Sequence, residues 1–291
     1  MKLENERESD NVEDRRGSSG GGFGGRSIGI GSVVVVLIAS YFLGVDPSVL
    51  LGMLGGEGGP GSPVPAQVAE GPAPRPKADD QQAILVSRVL ATTEDTWGEI
   101  FREAGKTYRP PKLTLYTGSY PTACGMGQAA AGPFYCPQDQ KVYIDLQFFQ
   151  MMHERFGASG DFAQAYVIAH EVGHHVQTLL GITEQMESQR ARGSRADANA
   201  LSVRLELQAD CFAGVWAART EKSKRFLDPS DVPEALAAAT AIGDDTLQRQ
   251  TQGHVVPDSF THGTSAQRTR WLKRGLESGN VQACDTFRSP I

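Results

Sequence analysis

His170, Glu171 and His174 stand in the order His-Glu-x-x-His, within His170-Glu-Val-Gly-His-His175. On an α-helix, residues four apart lie on one face about one turn apart, so the imidazoles of His170 and His174 can reach the same metal ion. Glu171 lies roughly 100° around the helix from His170. Its carboxylate then sits beside the metal's open position, where it can take a proton from water. His175 falls off the ligand face, so it is expected as a surface histidine or one behind the ligands.

A helix is what the flanking residues predict. From Asp161 to Leu180, Phe162, Ala165, Val167, Ile168, Val172, Val176, Leu179 and Leu180 recur at spacings of three and four, and Gly181 stands where helices commonly stop. Two imidazoles leave tetrahedral zinc one protein ligand short. Glu206 is the candidate, on a second helical stripe formed by Val203, Leu207, Cys211, Val215 and Trp216. Asp210, one turn on, shares its face and is placed to accept the outer N–H of a zinc-bound imidazole. Spacing alone leaves Asp161, Glu184, Glu187 and Asp197 as rival ligands.

The 291-residue chain has 40% hydrophobic and 21% charged positions, enough for one catalytic domain with accessory segments. Its net charge of -6 offers no basic stripe for nucleic acid. Residues 1–27 are polar and end in a glycine-rich tract, so a disordered tail is expected. Residues 28–45 carry no charge and are expected to cross a membrane. Lys2, Arg7, Arg15, Arg16 and Arg26 precede them and no Lys or Arg follows until Arg75, which predicts a cytoplasmic N-terminus and an extracytoplasmic, periplasmic-side domain. Residues 46–76 are dominated by Gly and Pro and read as a spacer, leaving 77–291 as the folded domain.

That domain should be α+β and mainly helical. Gln81 to Gly105 carries a helical stripe, Lys112–Tyr116 and Lys141–Leu146 alternate like strands of a small sheet, and Pro233 to Leu247 reads as a further helix. Thr261 to Gln267 either starts the next helix, with His262 near its cap, or supplies a polar donor to the site. Asp244 and Asp245 are expected to cap or to face solvent. Four cysteines admit three pairings; Cys124 with Cys136 brackets the loop between the strands, which leaves Cys211 with Cys284. The inferred compartment favours disulfides.

Taken together, Gly132-Pro-Phe-Tyr-Cys-Pro137, Val142-Tyr-Ile-Asp-Leu146, the His170 motif, Glu206-Leu-Gln-Ala-Asp210, Ala241-Ile-Gly-Asp-Asp245 and Ser259-Phe-Thr-His-Gly-Thr-Ser-Ala-Gln-Arg268 resemble the YpfJ-type bacterial neutral zinc metallopeptidases. The resemblance implies a zincin-like fold, a Zn2+ cofactor, a peptide or protein substrate, and Glu206 as third ligand. His262 and Arg268 also keep the spacing of the His-Pro-x-x-x-x-Arg of the HtpX and CAAX-processing class of membrane endopeptidases, with Gly263 in place of the Pro. Both are assigned on that basis to the oxyanion that forms when water attacks a peptide carbonyl. The rival class of function is a non-catalytic envelope scaffold that keeps zinc for folding or binding. Glu171 speaks against it, because a purely structural site has no use for a base beside an open position.

Overall fold

A computed structural model describes residues 1–17, 74–128 and 132–291. The expected membrane segment 28–45, the end of the expected tail, and all but the last three residues of the expected spacer lie outside the described residues. Among the described residues, no helix is long and apolar enough to cross a membrane.

The chain begins with a strand, β1 (Val12–Asp14), where a disordered tail was expected. β1 pairs in parallel with β2 (Lys112–Tyr116), Val12 opposite Leu113. Leu3 and Val12 are buried, and Ser9 and Asn11 hydrogen-bond Glu94. Only these two apolar side chains enter the core, and the partner strand lies far along the chain. Local composition therefore carries no trace of the pairing.

The helices follow from their apolar faces and caps. α1 (Gln81–Glu103) is capped by Asp80, which accepts from the Ala83 N–H at 3.0 Å, and buries Val86, Val89, Leu90, Trp97 and Phe101. After β2 come a hairpin, β3 (Ser119–Thr122) with β4 (Gly125–Gln128), then β5 (Phe134–Cys136) and β6 (Lys141–Asp145). The main sheet runs β1-β2-β6-β5. Its first three strands are parallel and β5 is antiparallel to β6. β5 is thus an edge strand, and the Cys124–Cys136 disulfide ties it to the hairpin turn.

α2 (Gln147–Phe156) leads to α3 (Asp161–Leu179), which Gly181, at φ 74°, ends with a left-handed residue. α4 (Ile182–Arg190) follows and carries Glu184 and Glu187. α5 (Arg195–Lys224) opens with a capping box between Ser194 and Asp197, which accounts for Asp197. The helix expected over Pro233–Leu247 is two, α6 (Asp231–Ala241) and α7 (Asp244–Gln252), divided at Ile242-Gly243. α8 (Ser265–Ser278) starts with a capping box between Thr264 and Gln267.

The core lies where α3, α5 and α8 meet, and small residues set the spacing. A Cβ on Gly173 would lie 3.1 Å from Ala209 Cα and carbonyl oxygen, so α3 and α5 approach at the turn between His170 and His174. Gly275 of α8 is closer still: its Cβ would fall 2.0 Å from the Cys211 carbonyl oxygen on α5. Trp216 donates to the Thr92 hydroxyl and Thr220 bonds Thr96, pinning α5 to α1. The second disulfide, Cys211–Cys284, ties the C-terminal segment to α5. Both bridges join the cysteines paired by the sequence argument.

Candidate metal centre

The close crossing of α3 and α5 brings Glu206 beneath both histidines. Its carboxylate oxygens lie 3.1 Å from His170 Nε2 and 3.4 Å from His174 Nε2. These three are the group of metal-ligating side chains that converges among the described residues, with ligand atoms within 4.8 Å of one another. Asp161, Glu184, Glu187 and Asp197 take no part in it.

The outer nitrogens test whether the set fits a metal. His170 Nδ1 faces Asp210 Oδ1 at 2.8 Å, and His174 Nδ1 faces Gln177 Oε1 at 2.9 Å. Both partners accept, so each Nδ1 carries a proton and Nε2 is the nitrogen turned to Glu206, free to bind a metal once it gives up its own proton. Two neutral imidazoles and one carboxylate are a donor set that zinc takes in hydrolytic sites. Burial would raise the Glu206 pKa, but the adjoining His174 and His170 hold it well below the usual carboxylate range, leaving an ionised ligand.

Asp210 is fully buried and stands behind His170, as its spacing from Glu206 implied. Burial alone would raise its pKa; the Arg268 charge and His170 outweigh that and bring it to about 2. Arg268 grips Asp210 with two parallel bonds, Nε to Oδ2 at 3.0 Å and one terminal nitrogen to Oδ1 at 2.9 Å. Tyr166 donates to Asp210 at 2.5 Å and accepts from Arg268 at 3.2 Å.

This corrects the role expected of Arg268. Its guanidinium is 2% exposed and committed to Asp210, Tyr166 and the Ile242 carbonyl. It holds the group behind a ligand instead of reaching toward an oxyanion. Spacing placed the residue correctly but not the direction of its long side chain.

His262 does face the cavity, half-exposed. Asp244 organises it: Oδ2 accepts the backbone N–H groups of Thr261, His262 and Gly263, while Oδ1 faces His262 Nδ1 at 3.1 Å. Burial would lower the His262 pKa; the Asp244 hydrogen bond and the Glu206 charge reverse this and raise it. Asp245 similarly accepts from the Ser265 N–H and hydroxyl. The two aspartates hold the turn from His262 into α8, a role beyond generic capping that the sequence did not disclose.

His175 is 1% exposed, neither a surface residue nor behind a ligand. Its Nε2–H donates to the Arg109 carbonyl at 2.7 Å, so its Nδ1 accepts from the Tyr135 hydroxyl at 3.1 Å. Burial pushes its pKa down to about 4, which keeps it neutral. It ties α3 to β5.

Glu171 is 7% exposed, and burial raises its pKa toward the range where a general base works near neutrality. It shares a cavity of about 560 Å³ with His170, His174, Glu206 and His262, lined on another side by Gly132, Pro133, Phe134 and Tyr135.

A family model described as "Putative neutral zinc metallopeptidase" matches residues 1–287. The chain belongs to this zinc metallopeptidase family. Among its relatives is the "Uncharacterized protein YpfJ" of Escherichia coli (strain K12), 50% identical over 299 aligned residues that cover 100% of both chains. Another is the "Uncharacterized protein Rv2575" of Mycobacterium tuberculosis (strain ATCC 25618 / H37Rv), 43% identical over 220 residues, covering 72% of each. No solved structure matches. The family match spans β1 as well as α3 and α5, so the N-terminal strand lies within the matched region.

Proposed function

We propose that this family member is a zinc-dependent endopeptidase in which His170, His174 and Glu206 hold the metal and Glu171 is the general base. One observation carries the reading: the Nε2 atoms of two imidazoles and a carboxylate converge beside a buried glutamate with a raised pKa, in a cavity bordered by an edge strand.

Zinc, when bound, supplies Lewis acidity that lowers the pKa of water at the site to about 7 and polarises a carbonyl. Glu171 takes the proton of the attacking water and passes it to the nitrogen of the leaving amine. His262, turned into the cavity by Asp244, which also raises its pKa, donates in its protonated form to the oxyanion that develops on the carbonyl. Among the described residues β5 pairs on one side only, so its other edge can hold an extended substrate by main-chain hydrogen bonds, the chemistry of strand addition. That open edge supports a peptide substrate over a small amide.

The test uses the full-length protein, because residues 1–17 are part of the domain. Zinc content and cleavage of an unfolded protein are measured for wild type, Glu171→Gln and Glu206→Gln. Wild type is expected to carry zinc and cleave. Glu171→Gln keeps zinc and loses roughly 10²-fold or more in rate, and Glu206→Gln loses zinc affinity. If wild type holds zinc but cuts nothing, and Glu171→Gln behaves identically, the peptidase reading fails and the chain is a zinc-holding binding protein.

A further inference from the structure

Gln177 lies one turn beyond His174 on α3 and is 1% exposed. Its Oε1 meets His174 Nδ1 at 2.9 Å. Its amide nitrogen donates to the Leu205 carbonyl at 2.7 Å and to Gln208 Oε1 at 3.1 Å. Gln208, 5% exposed, donates its own amide nitrogen to the Cys284 carbonyl at 3.0 Å. A line of hydrogen bonds therefore runs from the C-terminal segment, through two buried amides, to a metal ligand.

An amide side chain can be turned end for end, and what fixes its direction is its neighbours. Here both ends of the line are fixed by groups with one possible role. The Cys284 carbonyl only accepts, so Gln208 must turn its nitrogen toward it and its oxygen toward Gln177. The Leu205 carbonyl, from the residue before the ligand Glu206, only accepts too. Gln177 must therefore aim its nitrogen at α5 and its oxygen at His174. An oxygen there requires the proton on His174 Nδ1 and leaves the Nε2 lone pair for the metal.

We infer that Gln177 is the positioning residue for His174, selecting its metal-binding tautomer through a polarity set by the Leu205 and Cys284 carbonyls. The inference rests on the metal reading of His170, His174 and Glu206. It also predicts a graded result. Removing Gln177 removes the acceptor itself. Removing Gln208 takes one of two acceptors from the Gln177 amide, and the Leu205 carbonyl still holds its direction.

The experiment compares full-length wild type, Gln177→Leu and Gln208→Leu by chelator competition for zinc, and by the ring N–H signals of His174 in the zinc-loaded proteins. Thermal unfolding of each protein verifies folding. Gln177→Leu is expected to bind zinc roughly 10- to 100-fold more weakly, to lose the hydrogen-bonded Nδ1–H signal, and to recover its turnover at saturating zinc. Gln208→Leu should stay within a few-fold of wild type. If Gln177→Leu fails to fold, Gln177→Met, which keeps the length and flexibility of the side chain, replaces it with the same expectations. Wild-type zinc affinity in a folded Gln177 variant, or a His174 proton on Nε2, overturns the inference while leaving the metal site intact. A wild-type protein that binds no zinc overturns the metal site itself.

Discussion

The two candidate ligand histidines offer the same nitrogen from the same helix, yet the structure backs them with opposite chemistry. His170 leans on charge: Asp210, gripped by Arg268 and touched by Tyr166, all within a fully buried cluster that joins α3, α5 and α8. His174 leans on neutral amides, Gln177 and then Gln208, that end on backbone carbonyls. Both arrangements settle the tautomer. The charged one also makes its imidazole a stronger base and couples the ligand to α8; the neutral one sets direction without bringing a further charge into the core.

The sharpest way to break this contrast is Arg268→Met. The substitution leaves the Asp210 carboxylate buried without its cation, and breaking a buried pair from one side costs roughly 3–5 kcal/mol. Urea unfolding of the variant should show that loss. Should Gln177→Leu destabilise the fold as much, the distinction between charged and neutral backing is wrong.

A second expectation concerns His175, next to His174 but facing β5. Its pKa of about 4 lies below the ordinary 6.5, so the unfolded chain binds the extra proton first. Its contribution to stability is complete above pH 6.5 and is lost as pH falls toward 4, roughly 3 kcal/mol in all. The stability difference between wild type and His175→Gln, followed by urea midpoint across that range, should shrink as pH falls. A difference independent of pH would show that His175 is not held neutral.

The smallest effect extends the comparison to His262, a third imidazole, backed by a carboxylate but half-exposed. Asp244 raises its pKa, so protonated His262 persists to higher pH and activity should decline only as pH rises through that raised value. Asp244→Asn should move the alkaline limb of kcat/KM to lower pH. The accompanying loss in rate should fall short of the roughly 10²-fold seen when an oxyanion donor is removed outright. An unmoved limb would mean that Asp244 only holds the loop.

What the sequence made legible was whatever repeats along one element. The period of α3 and α5 set His170 with His174 and Glu206 with Asp210 on shared faces, because four-residue spacing on a helix is itself a spatial statement, while the choice of Glu206 over its rivals came from the family resemblance. Strand alternation found β2 and β6, and compartment reasoning found both disulfides. What stayed hidden lies between elements. The direction of Arg268 depends on the Gly275 crossing that sets α8 against α5. The partnership of Asp244 with His262 spans a turn, and Gln177 acquires meaning only once Leu205 and Cys284 are beside it. β1 was hidden most completely, as a three-residue strand whose partner comes almost a hundred positions later.

That strand also constrains the path of the chain in a way its size does not advertise. β1 and β2 lie side by side in one sheet, so the described residues on either side of 18–73 belong to one body. A loop that enters a bilayer must leave by the face through which it entered, so the number of crossings is even while β1 stays paired. One passage by residues 28–45 would put β1 and β2 in different compartments. Labelling single cysteines placed near residue 5 and near residue 291 from one side of the membrane decides between the arrangements: equal labelling keeps the sheet whole, and opposite labelling means that β1 is not paired in the inserted protein.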